Sequence, residues 1–278
     1  MKTKIKIVSD SSSDLFTLNS INFESAPLKI ITAKKEYTDD ENLDVKRMVD
    51  ELGRYSGKSS TSCPNVDDWL RVFGDAEEIY CVTITATLSG SYNAAMLAKQ
   101  TYEEQYPDRK VFVFNSLTAG PEIALILERI EELLLEGKDF ATVCNEIVKY
   151  SSKTRLLFML ESMKNLANNG RVSPLTAKMA GILGIRVVGK ASDRGDLEPL
   201  SKCRGEKKAL DTIIKHMKEL GFVGGKVLVA HCFNETAAKE LSATLQKEFQ
   251  NIRIKYYNCK ALCSFYAEKG GLLVGFEK

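Results

Sequence analysis

At 278 residues the chain is long enough to bury a substantial core, and two compact α/β domains are expected. Its 39 Lys and Arg against 37 Asp and Glu leave a net charge of +2, too weak a field to hold a nucleic-acid backbone or an anionic membrane surface. Seven cysteines, at positions 63, 81, 144, 203, 232, 259 and 263, form no CxxC pair and no zinc-finger spacing with histidine. They point to reduced, mostly buried thiols and not to a disulfide framework, and no metal or cofactor is indicated. Cys259 and Cys263 could share a helix face, but two ligands without a third do not make a metal site.

The chain opens on MKTKIKIVSD, whose basic start lacks the apolar stretch of a secretion signal and reads as a first strand, so a soluble cytoplasmic protein is expected. KIKIVS, NFESAPLKIITA, EIYCVTIT and KVFVFN have the β-branched and alternating character of strands. Between them, NLDVKRMVDELG, NVDDWLRVFGDA, SYNAAMLAKQTYEEQY and PEIALILERIEELLLEG have helical periodicity. Strand and helix in alternation predict a mainly parallel, Rossmann-like sheet with helices on both faces, over residues 1–154. In such sheets ligands settle at the carboxyl ends of the strands.

Beyond residue 154 the texture changes. FMLESMKNLANNGRVS leads into GIRVVGKASDRGDLEPLSKCRG, where two strand-like runs flank the hairpin signal SDRGD. The apolar run that starts at Met179 is broken by Arg186 and is too short to span a bilayer. Helix KKALDTIIKHMKELG, strand KVLVAHC, helix ETAAKELSATLQKEF, strand RIKYYN, a short helix or turn, and strand GGLLVGF follow. Residues 155–278 therefore read as an α+β domain with a mixed sheet, with a ligand cleft expected between the halves.

Three strand-to-helix turns are rich in small hydroxyl residues: VSDSSSDL, TATLSGSY and FNSLTAGPE; a fourth cluster, KSSTSCPNVDDW, precedes a helix with no evident strand before it. A helix start offers unpaired amides and partial positive charge, so such turns can cradle a carboxylate or phosphate. Ser89 and Gly90 are so placed. Ser89 has three readings: a helix cap, an anion cradle, or a nucleophile. The last needs a base, and the only histidines are His216, on an amphipathic helix, and His231, at a strand end; TLSGS also lacks the G-x-S-x-G elbow. No phosphate-binding glycine loop is present, and the acidic pairs Asp39–Asp40 and Asp67–Asp68 read as helix-start charges. Arg171, directly after Asn-Asn-Gly, is either a surface arginine or the counter-charge to an anion held at the hydroxyl turns.

Along nearly its whole length the sequence resembles the DegV family of bacterial fatty-acid-binding proteins. The resemblance is carried by IVSDSSSDL, STSCPN for the family's Thr-Ser-x-Pro turn, LSGSYNAA for its Ser-Gly-Thr-Tyr turn and NNGRVS for its Gly-Gly-Arg-Ile-Ser turn. KCRGEKKAL, HCFNETAAKEL and the final LLVGF also fit. It implies two α/β domains with one long-chain acyl ligand between them. It also implies a partner, a fatty acid kinase that phosphorylates the carboxylate to an acyl phosphate, with no catalysis by the carrier itself.

Matched motif by motif, the resemblance implies that Thr61, Ser62, Ser89, Gly90 and Arg171 hold the carboxylate head. The family's Gly-Thr-His-x-Gly-Pro-Gly is here SFYAEKG, which places Tyr266 where the histidine would stand, and the family's Asp-Ser is here Asn115 and Ser116. A phenol can donate a hydrogen bond but is neutral at pH 7. RLLFML, MAGILGIRVV and SFYAEKGGLLVGF are the candidate tail contacts. The alternatives are an acyl-ester hydrolase built on Ser89 and a sensor whose lipid occupancy another protein reads.

Overall fold

The computed structural model of the protein describes residues 3–178 and 184–278. The chain begins with β1 (Ile5–Asp10) and a single 3-10 turn, Ser11–Ser13, for which the Asp10 side chain is the cap. NFESAPLKIITA, which reads as one strand, is two: β2 (Phe23–Ala26) and β3 (Lys29–Thr32). Pro27 lies between them, and proline has no N–H to give a ladder. After β4 (Glu36–Thr38) comes α1 (Val45–Arg54), started by Asp44 and not by the upstream Asp39.

The hydroxyl cluster around Thr61, expected to lack a strand, is itself the strand β5 (Ser59–Ser62). It leads into α2 (Val66–Phe73), whose Asn65 and Asp68 form a reciprocal capping box. There follow β6 (Glu78–Thr83), α3 (Ser91–Gln105), β7 (Lys110–Asn115), α4 (Pro121–Leu135) and α5 (Phe140–Ser151). The last of these, capped by Asp139, is not anticipated from the sequence.

The second half runs β8 (Thr154–Leu160), α6 (Lys164–Asn168), α7 (Pro174–Ala177), β9 (Ile185–Ala191), β10 (Leu197–Arg204) and α8 (Glu206–Glu219). It ends with β11 (Gly225–His231), α9 (Glu235–Glu248), β12 (Ile252–Asn258), α10 (Ala261–Ala267) and β13 (Leu272–Glu277). Cys259 lies before α10, so only Cys263 of that pair is on the helix. Among the described residues no helix is long and apolar enough to cross a membrane.

Three sheets result: a parallel one in the order β2-β1-β6-β7, a small antiparallel one in the order β4-β3-β5, and a mixed one in the order β10-β9-β8-β13-β11-β12. In the mixed sheet only β11 and β12 pair in parallel. The parallel sheet is covered on both faces, as its strand alternation requires. Ile7, Tyr80 and Val82 face α4 and α5, while Val8, Ile79 and Cys81 face α2 and α3.

In the mixed sheet Leu157, Met159, Leu272, Val274 and Phe276 pack on α8 and α9. Their neighbours Leu156, Phe158, Leu160 and Leu273 face the other way, where Phe158, Leu160 and Leu273 pack with Leu166 of α6 and Ala267 of α10. Helix α4 lies between the two sheets: Ile123 through Leu127 are all fully buried, the pattern of a helix surrounded by protein. Its close approach depends on Gly275, where a Cβ would stand 2.6 Å from the Glu122 amide nitrogen.

Candidate functional site

The turn from Ile84 to Gly90 is fixed from behind by buried polar groups. Asp10, at the end of β1, accepts the Ile84 amide at 3.0 Å, the Ser91 hydroxyl at 2.5 Å and the Ser12 hydroxyl. Burial pushes its carboxyl above the usual range, against the pull of these hydrogen bonds. Asn115, at the end of β7, accepts the Ala86 amide at 3.1 Å. VSDSSSDL and FNSLTAGPE thus brace the turn and contribute no hydroxyls to the cavity described next, so the fold does not bring all four hydroxyl clusters to one site.

The two remaining clusters do converge. Thr61 and Ser62 of β5, Ser89 and Gly90 before α3, Arg171 after α6 and Tyr266 of α10 all line one cavity of about 270 Å³. Contacts link them: Thr61 Oγ1 and Tyr266 Oη are 2.7 Å apart, and the Arg171 guanidinium carbon lies 6.0 Å from the Tyr266 ring centre. Arg171 Nε donates to Leu88 O at 3.0 Å, and Nη1 donates to Asn169 O. Among the described residues no carboxylate pairs with Arg171. Ser89 Oγ accepts the Ser91 amide at 3.2 Å, and α3 begins on Gly90 with no side-chain cap. A Cβ at Gly90 would stand 3.2 Å from Cys63 Sγ, so the backbone here is close to β5. Burial raises the Tyr266 phenol, with Thr61 and then Arg171 opposing, so it is a neutral hydrogen-bonding group near pH 7.

The rest of the wall is apolar. Leu156, Phe158 and Leu160 of β8 line it together because they alternate along one face of the strand, with Leu273 of the neighbouring β13 beside them. Leu28, Ile84, Leu88, Ala119, Leu166, Leu197, Leu262 and Ala267 complete the wall with Cys63 and Cys263. RLLFML and SFYAEKGGLLVGF therefore supply cavity residues, whereas five residues of MAGILGIRVV lie outside the described ones. Isolated contributors such as Leu28 and Leu197 carry no signal in sequence, since one apolar residue on each of many elements forms no local pattern.

Helix α10 is anchored at its start by acidic groups from far upstream. Asp39 accepts the Ala261 and Leu262 amides, both at 2.9 Å, and Asp14 accepts the Lys260 amide at 2.7 Å. Asp39 is a helix-start charge, as expected, but for a helix 222 positions away. Burial raises Asp39 to about 6 and Asp14 to about 8. Neither histidine reaches the cavity. His216 bridges Ser201 Oγ at 3.1 Å and Glu219 at 2.8 Å on the α8 surface, and His231 is buried in β11 with burial lowering its pKa. Among the described residues no cluster of three or more His, Cys, Asp or Glu side chains is set to hold a metal ion.

The family model described as "Uncharacterised protein, DegV family" matches residues 4–278. A DegV domain-containing protein of Streptococcus pneumoniae is 42% identical over 276 residues, covering 98% of each chain. Two solved structures each superpose with a TM-score of 0.97 at 41% identity and 99% coverage of both chains. One is a DegV family protein from Eubacterium eligens loaded with heptadecanoic acid. The other is the Fatty Acid Kinase (Fak) B3 protein of Streptococcus pneumoniae loaded with linoleic acid.

Proposed function

The chain belongs to the DegV family, whose solved members bind fatty acids, and from that premise we propose that it is a non-catalytic carrier of a long-chain fatty acid. In this reading the carboxylate sits among Thr61, Ser62, Ser89, Gly90, Arg171 and Tyr266, and the acyl tail runs along Leu156, Phe158, Leu160 and Leu273. The observation that carries it is an arginine with no carboxylate partner among the described residues, set with four hydroxyls beside a helix start whose cap residue, Gly90, has no side chain, on a cavity whose remaining wall is apolar. An anionic head on an apolar tail fits that division.

The energetics follow the same division. A tail of roughly 14–16 methylenes, at about 0.8 kcal/mol each, gives a gross drive of about 11–13 kcal/mol before the costs of association. Hydrogen bonds to the charged head, about 1.5–3 kcal/mol each, must first offset its desolvation. The tail therefore sets affinity and the head sets direction. The partner of such a carrier is a fatty acid kinase, to which the bound carboxylate is presented; the similarity to the Fak B3 protein supports this. Tyr266 contributes a neutral donor in place of the family's imidazole.

Ser89 does not serve as a nucleophile in this reading, because its hydroxyl accepts a backbone amide and neither histidine lines the cavity. The test is mass spectrometry of the organic extract from freshly purified protein, set against the intact native mass. Near-stoichiometric fatty acid is expected. An empty extract with no uptake of added oleate or palmitate, or labelling of Ser89 by a fluorophosphonate probe, overturns the carrier reading.

A further inference from the structure

Among the described residues, the turn bearing Ser89 is hydrogen-bonded to the far side of the cavity at two points. One is Arg171 to Leu88; the other is Thr87 Oγ1, which donates to Gly195 O at 2.8 Å. Gly195 belongs to the tip of the β9–β10 hairpin. That tip holds its own shape: Ser192 N donates to Asp196 O at 2.8 Å, Gly195 N to Ser192 O at 2.9 Å, and Ser192 Oγ accepts the Asp196 amide at 3.1 Å.

Hairpin tips are ordinarily solvated, and Asp193, Arg194 and Asp196 are exposed, yet Gly195 is buried. It is buried because it lies against the turn. A Cβ there would stand 2.0 Å from Thr85 Oγ1 and 3.1 Å from Leu117 Cα, and its φ of +87° favours glycine independently. Immediately beside this contact the chain lines the cavity on both sides, at Leu88 next to Thr87 and at Leu197 two residues beyond Gly195.

We propose that Thr87 and Gly195 are positioning residues that clasp the hairpin onto the Ser89 turn and set the rate at which a bound acyl chain leaves. The proposal rests on the fatty-acid reading above. Lifting the tip withdraws Leu197 from the tail and frees the turn that carries Ser89 and Gly90 in the same motion. Head and tail contacts then loosen together, and the clasp opposes that loosening with one hydrogen bond and one close backbone packing.

The experiment uses the full chain loaded with the fluorescent fatty acid cis-parinaric acid and follows its release into excess albumin by stopped flow. Thr87→Val should release it about fivefold faster, the factor one neutral hydrogen bond is worth. Gly195→Ala, which drives a methyl into Thr85, should accelerate release about tenfold. Thr87→Ser keeps the hydroxyl and should release at the wild-type rate.

An unchanged far-UV circular dichroism spectrum in Thr87→Val, with a thermal midpoint lowered by no more than the roughly 2–4 °C that one hydrogen bond is worth, separates the clasp from a merely structural role. Should Gly195→Ala not fold, the Thr87→Val and Thr87→Ser pair decides alone. Wild-type release rates in a folded Thr87→Val overturn the clasp. Failure of the wild-type chain to take up cis-parinaric acid overturns the carrier reading instead, and that is measured before any variant.

Discussion

Helix α10 starts over two buried carboxyl groups, with Asp39 under the Ala261 and Leu262 amides and Asp14 under Lys260; near pH 7 Asp39 is the anion of the two. Helix α3 starts on Gly90 with no side-chain cap, beside Arg171 and on the same cavity. Both ends present amides that lack a partner within the helix, and the same partial positive charge. At α10 the protein supplies the anion from within, so that helix end is structural and holds Tyr266 in place. At α3 the internal acid Asp10 takes the Ser91 hydroxyl and not a helix amide, and only Ser89 Oγ meets the Ser91 amide, so no carboxylate among the described residues occupies the equivalent position. A helix start thus becomes a binding element when no internal acid takes its amides, and its own sequence does not reveal which of the two it is.

Removing the internal anion should do the most damage. Asp39→Ala leaves two buried amides without an acceptor, at about 1–3 kcal/mol each, and a loss of about 3–5 kcal/mol in urea unfolding is expected. A loss below about 1 kcal/mol would make the α10 cap as dispensable as an exposed one.

The pH dependence of stability tests the same acids. The folded-state carboxyls of Asp14 and Asp39 lie at about 8 and about 6, both above their ordinary 3.8. Between 3.8 and those values the folded chain binds more protons than the unfolded one, so these groups make stability fall as pH rises through that window. Asp14→Asn keeps an acceptor for the Lys260 amide but cannot ionise. It should flatten the decline between pH 5 and pH 8.5 by on the order of 3 kcal/mol, read from unfolding midpoints at the two pH values. An identical slope in the variant would assign the decline to other groups.

On the ligand side the effects should be smaller and confined to binding. Arg171→Ala should weaken fatty-acid affinity by about 2 kcal/mol, roughly thirtyfold, by isothermal titration, with the fold retained. Ser89→Ala should cost about 1 kcal/mol of affinity, and the same titration with no change would remove its hydroxyl from the head-group site. If either variant loses more stability than affinity, the contrast between the two helix starts collapses.

Much was legible without coordinates, for local reasons. The alternation of KIKIVS and EIYCVTIT with helical periods determines a parallel sheet covered on both faces, and the clusters at Thr61 and Ser89 announce hydroxyls ahead of helices. RLLFML announces a buried strand, but it is apolar at every position from Leu156 to Leu160, and only packing decides that Leu156, Phe158 and Leu160 face the cavity while Leu157 and Met159 face α8 and α9. Legibility fails wherever a residue's partner is remote in sequence. In NFESAPLKIITA Pro27 marks a break, but only the pairing of the halves with β1 and with β5 puts them in two different sheets.

By itself, then, the sequence determined the alternation of elements, the hydroxyl turns and the apolar stripes, because hydrophobic period, capping and turn chemistry act over a few residues. Tertiary structure alone decided that Asp39 caps α10 while Arg171 finds no carboxylate among the described residues, that Tyr266 meets Thr61, and that Gly195 closes on Thr85. Each of those outcomes pairs groups dozens to hundreds of positions apart. Hydrogen-bond satisfaction and close packing are settled only when the chain has brought such groups together.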